Sequence, residues 1–249
     1  MNLSNQDVQI GQQNFTSSAT QIHPLGTRGY TNFGGRAYRY AKAGTVDLVA
    51  GSLVQSPSLV GGHANLVVST TSPLGIGTTA VDVTCASSAA ANQYADGYLG
   101  IATGIGMGYM YSISSHAAVS TGATGRFFLY NPEDVLLVAI TTTGTVSLLM
   151  NEYSGVIISP ASTALGIIVG LAHYIIAAGQ YGWIQTWGPA LCFMSGTPAL
   201  GASLLGTATS AGRASLVTAA TLLTQQIVGY AAQTGVEAQF CWIYLKVSP

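Results

Sequence analysis

The stretch Ile168–Ile184 returns near the C-terminus as Ile227–Ile243, and the two copies align without a gap. Ile168, Val169, Gly170, Ala172, Gln180, Trp183 and Ile184 recur as Ile227, Val228, Gly229, Ala231, Gln239, Trp242 and Ile243, and Tyr181 is matched by Phe240. Each copy reads as a short apolar strand, a turn region with Gly, Ala or Thr, and a second strand carrying a Trp. A hairpin used twice constrains the fold to a sheet-based module, and the shared position of Trp183 and Trp242 reads most simply as core packing.

The rest of the chain supports the same class. Thr45–Val49, Leu66–Thr70, Ala80–Thr84, Gly108–Ile113, Arg126–Tyr130 and Val135–Ile140 are β-branched, aromatic or alternating runs. Between them lie Gly-rich turns, including Ser72–Gly75 and Asn131-Pro132. This spacing predicts an all-β chain of barrel or sandwich modules. The expected division is an extended N-terminal arm over 1–34, a first β module over 35–150 and a second over 151–249. Ala219–Gln226 has some helical propensity but is too short to change the class.

Only 6% of the residues are charged, against roughly 25% in ordinary domains. A free monomer stays soluble through surface charge, so this composition points to a chain packed against neighbours over much of its area. The net charge of −1 disfavours an electrostatic nucleic-acid binder and offers no polybasic membrane patch. No run approaches the ~18 apolar residues of a spanning helix, and the N-terminus lacks the pattern of a signal peptide. Cys85, Cys192 and Cys241 read as small buried hydrophobes.

Candidate chemistry is sparse. His23, His63, His116 and His173 have no paired ligand spacing, and Glu133-Asp134 stands in what reads as a solvated turn. Gly104-Ile-Gly-Met-Gly108 lacks the spacing and the Lys of a phosphate loop. The reading is therefore a non-enzyme with no cofactor and no metal. The one concentrated feature is basic and aromatic: Arg28, Arg36, Arg39 and Lys42 interleave with Tyr30, Phe33, Tyr38 and Tyr40. Tyr and Arg are common anchors of protein interfaces, so Arg28, Tyr30, Arg36, Tyr38, Arg39, Tyr40 and Lys42 are the candidate partner interface. The arm before them has little means of burying itself on its own chain and is expected either to order on a partner or to stay a floppy terminus.

Three stretches carry a resemblance. They are Leu25–Arg28 running into Gly35–Gly44 and Leu48–Val54; Asn92–Leu99; and Tyr181–Ala190 with Leu200–Leu204 and Val228–Ala231. Their pattern of aromatic strand, Ala-x-Gly-x-Leu turn and Val-Gly-x-Ala strand resembles tailed-bacteriophage capsid decoration (cement) proteins. The resemblance implies a structural virion protein on the capsid exterior, made in the host cytoplasm and partnered by the major capsid protein. It implies a homo-oligomer, with a trimer favoured, that stabilises the shell by bridging capsid subunits. Tyr38 and Arg39 would be its anchors. The alternatives are another virion part (fibre, spike or shell component) or a carbohydrate-binding β module using Trp183, Trp187 or Trp242.

Overall fold

The structure, a computed structural model, describes residues 7–11, 15–32, 34–69, 74–130, 134–161, 165–206, 210–218, 221 and 225–249. Phe33, Ser72, Pro73, Asn131, Pro132, Glu133 and most of Ala219–Gln226 lie outside these. The described residues form strands and turns without a helix, in two compact units: Met1–Ser58 with Glu152–Pro249, and Leu59–Asn151.

The first unit holds β1 (Val8–Gln9), β2 (Arg28–Tyr30), β3 (Ala37–Ala43), β4 (Leu53–Gln55), β11 (Ser154–Ile158), β12 (Ile168–Ala172), β13 (Tyr181–Ser195), β14 (Ser203–Leu205), β15 (Ala214–Leu216), β16 (Ile227–Ala231) and β17 (Phe240–Lys246). The second holds β5 (Leu66–Val67), β6 (Ala80–Thr84), β7 (Tyr98–Thr103), β8 (Met110–His116), β9 (Thr124–Leu129) and β10 (Thr145–Leu149). The expected boundary near 151 is where the second unit ends. Residues 35–58, however, belong with the C-terminal half, because β3 and β4 find their partners there.

Those pairings close two rings. β3 pairs β11, β11 pairs β4, β4 pairs β12, β12 pairs β13, and β13 returns to β3. β13 then pairs β15, β15 pairs β14, β14 pairs β16, β16 pairs β17, and β17 returns to β13. In chain order the two five-stranded barrels have one topology, with the first and third strands parallel and every other neighbour antiparallel. They share β13, whose first half ends one barrel and whose second half begins the next. Closure leaves the rings without free edges.

The copies agree in register as well as in topology. Trp183 stands opposite Tyr40 as Trp242 stands opposite Leu191. Both contain a bulge at one place: Ile168↔Gln55 shifts to Gly170↔Val54, and Ile227↔Leu205 shifts to Gly229↔Leu204. The Gly51 N–H donates to Ala172 O at 2.7 Å, and the Gly201 N–H to Ala231 O at 2.8 Å. The repeated hairpin expected from the sequence is thus the last third of a repeated barrel. The first copy is interrupted in sequence between β4 and β11 by the second unit, where the second copy has only the short stretch between Leu205 and Ala214.

Side chains alternate in and out of each barrel, as the pleat requires. Ala41, Val54, Val156, Val169 and Ile184 fill the first, and Ala190, Cys192, Met194, Val228, Ile243 and Leu245 the second. Cys85, Cys192 and Cys241 are all buried and free, and burial raises the Cys192 thiol to about 12. At the joint between the barrels Gly188 has φ 90°, Pro189 follows, and the Gln185 amide donates to Trp187 O at 3.0 Å and Pro189 O at 2.9 Å. That buried side chain splints the bend.

The second unit is a six-stranded sheet in the order β5-β10-β7-β8-β9-β6, its ends joined by a Val68↔Val83 bridge. Leu99, Ile113, Phe127, Leu136 and Val146 are among its fully buried side chains. Asp82 and Arg126 face each other across β6 and β9, with Nε donating to Oδ1 at 2.7 Å and Nη2 to Oδ2 at 2.8 Å.

Candidate partner-binding surfaces

The basic–aromatic segment lies on β2, β3 and the turn between them, and the structure divides its residues by role. Tyr38 and Tyr40 point away from the barrel interior but are buried, Tyr38 with no exposed surface. What covers them is the chain's own N-terminal arm. Phe15 lies 5.4 Å from the Tyr38 ring, and His23 lies 5.2 Å from Tyr40 and 5.3 Å from Trp183. Ile10 joins Tyr38, Tyr40 and Trp183 in one buried cluster, flanked by Val8, Phe15, Leu25 and Tyr181.

The arm is also stitched by backbone. Ser18 and Tyr181 exchange N–H···O bonds at 2.9 and 2.8 Å, Gly26 N–H reaches Tyr40 O at 2.8 Å, and Tyr40 N–H reaches Thr27 O at 3.0 Å. The expectation that the arm would need a partner in order to settle is therefore corrected. A few apolar residues spaced through a polar stretch are enough when each finds a slot between aromatic rings.

The charged members sit at the rim. Arg39 donates to Gly26 O at 3.1 Å and to Ser248 Oγ at 3.2 Å, tying the arm and the C-terminus to β3. Arg28 pairs with Asp7, again within the arm. Lys42 lies 5.4 Å from the centre of the Tyr181 ring. Tyr30 and Arg36 are half-buried. Tyr38 and Arg39, the expected anchors, are thus engaged inside the chain, which leaves Arg28, Tyr30, Arg36 and Lys42 with surface to offer.

The equivalent face of the second barrel is largely exposed. Along β17 the outward residues are Phe240, Trp242, Tyr244 and Lys246, while Cys241, Ile243 and Leu245 face the core. Across the strands stand Phe193, Leu191, Pro189 and Tyr230. The Phe193 and Phe240 rings are 5.1 Å apart, Trp187 and Tyr244 meet edge-on at 6.2 Å, and the Lys246 ammonium lies 4.9 Å from the Tyr230 ring centre. The sequence reading of Trp242 as a core residue is corrected: its copy-mate Trp183 is 4% exposed, but Trp242 is 48% exposed. The strict alternation of large aromatic and small apolar residues in Phe240–Lys246 was the available signal for an outward aromatic row.

In the second unit His63 and His116 flank Tyr94. Tyr94 OH donates to His63 Nδ1, whose Nε2 donates to Ser87 O at 2.9 Å. Tyr94 N–H donates to His116 Nε2 at 3.0 Å, and His116 Nδ1 donates to Ala117 O at 2.8 Å. Every ring nitrogen has a structural partner. The cleft beside them, lined by Leu59, Val60, His63, Tyr94 and Met150, has a volume of about 100 Å³, below the roughly 300 Å³ of the smallest ligand pockets. Asp134 accepts the Ser112 N–H at 2.7 Å, a turn-stabilising contact. The Gly104–Gly108 stretch is the β7–β8 turn, with Ile105, Met107, Tyr109 and Met110 exposed.

Comparison with known proteins finds no family, no curated protein and no solved structure that matches the chain.

Proposed function

We propose that this chain is a structural virion protein that binds the outer capsid surface and stabilises the shell by bridging capsid subunits. The observation that carries the reading is the surface. With 6% charged residues, both units present large apolar side chains to solvent: Ile105, Met107 and Met110 in one, Leu191, Phe240 and Trp242 in the other. Contiguous exposed apolar surface marks association. Closed barrels also suit the task, because they bring rigid side-chain faces to a joint and no strand edge that would pair indiscriminately.

On this reading the shell is contacted by the outer side of the seated arm, with Ile22 and the half-buried Arg36 at its centre, flanked by Tyr30, Arg28 and Lys42. Many copies, each held weakly, add their contributions through multivalency. Among the Trp residues that a glycan-binding module would use, Trp183 is closed off by the arm, which weakens that alternative. The test is co-sedimentation with undecorated shells of the cognate capsid protein. Saturable binding by the wild type and a sharp loss of occupancy in an Ile22→Ser/Arg36→Ala variant of unchanged melting temperature support the proposal. A wild type that ignores the shells, or a variant that binds equally well, overturns it.

A further inference from the structure

The two barrels provide an internal comparison of the same outer face in two conditions. On the first barrel, Tyr38, Tyr40, Tyr181 and Trp183 are roofed by a polypeptide segment bearing Ile10, Phe15 and Leu25. On the second, the register places Pro189, Leu191, Phe240 and Trp242 at the corresponding positions; among the described residues the turn at Gly51 meets the Phe240 end, and the rest of the row stays exposed. We infer that this face of the second barrel, built from Leu191, Tyr230, Phe240, Trp242 and Tyr244, is the seat of a second copy of this chain.

Three observations favour that occupant. The first is area. These five side chains are 39–50% exposed; at about half of the roughly 150–250 Å² each aromatic presents, they offer on the order of 500 Å². With the half-buried Trp187 and Phe193 and the exposed Lys246 at the margin, that matches one side of the ~1,000 Å² total of a small specific interface. The second is precedent. The equivalent row of rings on the first barrel is already covered by polypeptide, so packing of chain segments on such a face is established within the molecule. The third is charge. Among the described residues the row's ionic groups stand at its two ends: the Lys246 ammonium over the rings of Tyr230, Tyr244 and Trp187, and the Arg213 guanidinium, paired with Glu237, over the Phe193 ring. Nothing at the centre repels an identical face, whereas a sugar platform needs polar side chains around its rings to fix hydroxyls.

This inference shares with the proposed function the view of the chain as an oligomer, but it does not depend on the shell. The experiment is sedimentation velocity over a concentration series on the full chain, without capsids. The wild type is expected to associate reversibly. Trp242→Gln is expected to raise the dissociation constant by roughly tenfold or more, as for a central aromatic anchor, with no change in melting temperature, while Leu59→Ser leaves association unchanged. Hydroxyl-radical footprinting of the wild type gives a check free of mutation: Phe240, Trp242 and Tyr244 become protected as concentration rises. A wild type that stays monomeric, association indifferent to Trp242→Gln, or a monomer whose Trp242 emission is quenched by a soluble oligosaccharide overturns the inference. Self-association through this face by a protein that ignores shells removes the capsid reading and leaves this one standing.

Discussion

Trp183 and Trp242 occupy one position in two copies of the same barrel, and they differ only in what lies on top of them. Trp183 faces Tyr40 across the ladder and is sealed by Ile10 and His23; Trp242 faces Leu191 and is open to water. The two barrels share topology and register, so the difference in burial belongs to the arm. An outer aromatic face is a common inheritance of both copies, and the chain itself closes one of them.

The seal over Trp183 depends on a close approach at Gly29. A Cβ at that position would lie 2.2 Å from Ile10 Cδ1 and 2.8 Å from Trp183 Cζ3. Gly29→Ala must therefore push Ile10 out of its slot or tilt the indole, an overpacking cost of about 1–3 kcal/mol. The arm should loosen while both barrels stay folded. Limited trypsin digestion should then cut after Arg28 faster than in the wild type, with the far-UV spectrum unchanged; an unaltered cleavage rate refutes this account of the arm.

Gln55 is fully buried on β4, and neither amide atom has a hydrogen-bond partner among the described residues. Its counterpart in the second barrel, opposite the same bulge, is Leu205. A buried unsatisfied amide costs about 1–3 kcal/mol, and the second copy demonstrates that leucine fits this kind of site. Gln55→Leu should raise stability by about 1–2 kcal/mol, read as a higher urea midpoint with an unchanged m-value. A lower midpoint would mean that the amide has a role in the fold.

Gln185 should respond in the opposite way. It too is fully buried, but its Nε2 holds the carbonyls of Trp187 and Pro189 at the bend where β13 passes from one barrel to the next. Gln185→Leu keeps the volume and loses both bonds, for an expected destabilisation of about 2–3 kcal/mol. Denaturation should show the midpoint falling. Gln185 Oε1 is without a partner as both Gln55 amide atoms are, so opposite signs on the same substitution would isolate the worth of the two bonds from Gln185 Nε2; equal effects would dissolve the distinction.

The all-β class and the hairpin repeat were legible in the sequence because they are local. The alternation in Phe240–Lys246 and the matched Trp and Gln residues need no distant partner to be seen. Ring closure was not legible, since β3 and β4 pair with strands beyond an inserted unit and nothing near residues 37–55 names those strands. The same distance hid the true extent of the first module. The candidate interface was half legible. Interleaved Arg and Tyr on β3 correctly marked two contrasting faces, but no period in residues 7–30 announced that Ile10, Phe15 and Leu25 would cover the tyrosines. Identical residues at equivalent repeat positions argued for identical burial, and that failed for Trp242 because cover comes from outside the repeat.

The last expectation concerns pH. His116 is buried, and burial, its largest influence, pushes its pKa below the ordinary 6.5, with the neighbouring His63 acting in the same direction against the Ala117 hydrogen bond. Its Nε2 accepts the Tyr94 N–H, so protonation there would place a proton where a donor already points. Burial likewise lowers His23 and His173. For a histidine whose folded pKa is depressed, the unfolded chain binds the proton first. Stability is therefore full above pH 6.5 and declines as pH falls below it, by up to about 1.4 kcal/mol per pH unit for the buried His116 until its folded pKa is reached, and by less for the partly exposed, solvent-screened His23 and His173. Urea midpoints from pH 7.5 downward should fall once pH passes about 6.5. The His116 ring signal in NMR should titrate below that value while the second unit remains folded, and a ring that titrates at or above 6.5 would contradict the hydrogen-bond assignment at Tyr94.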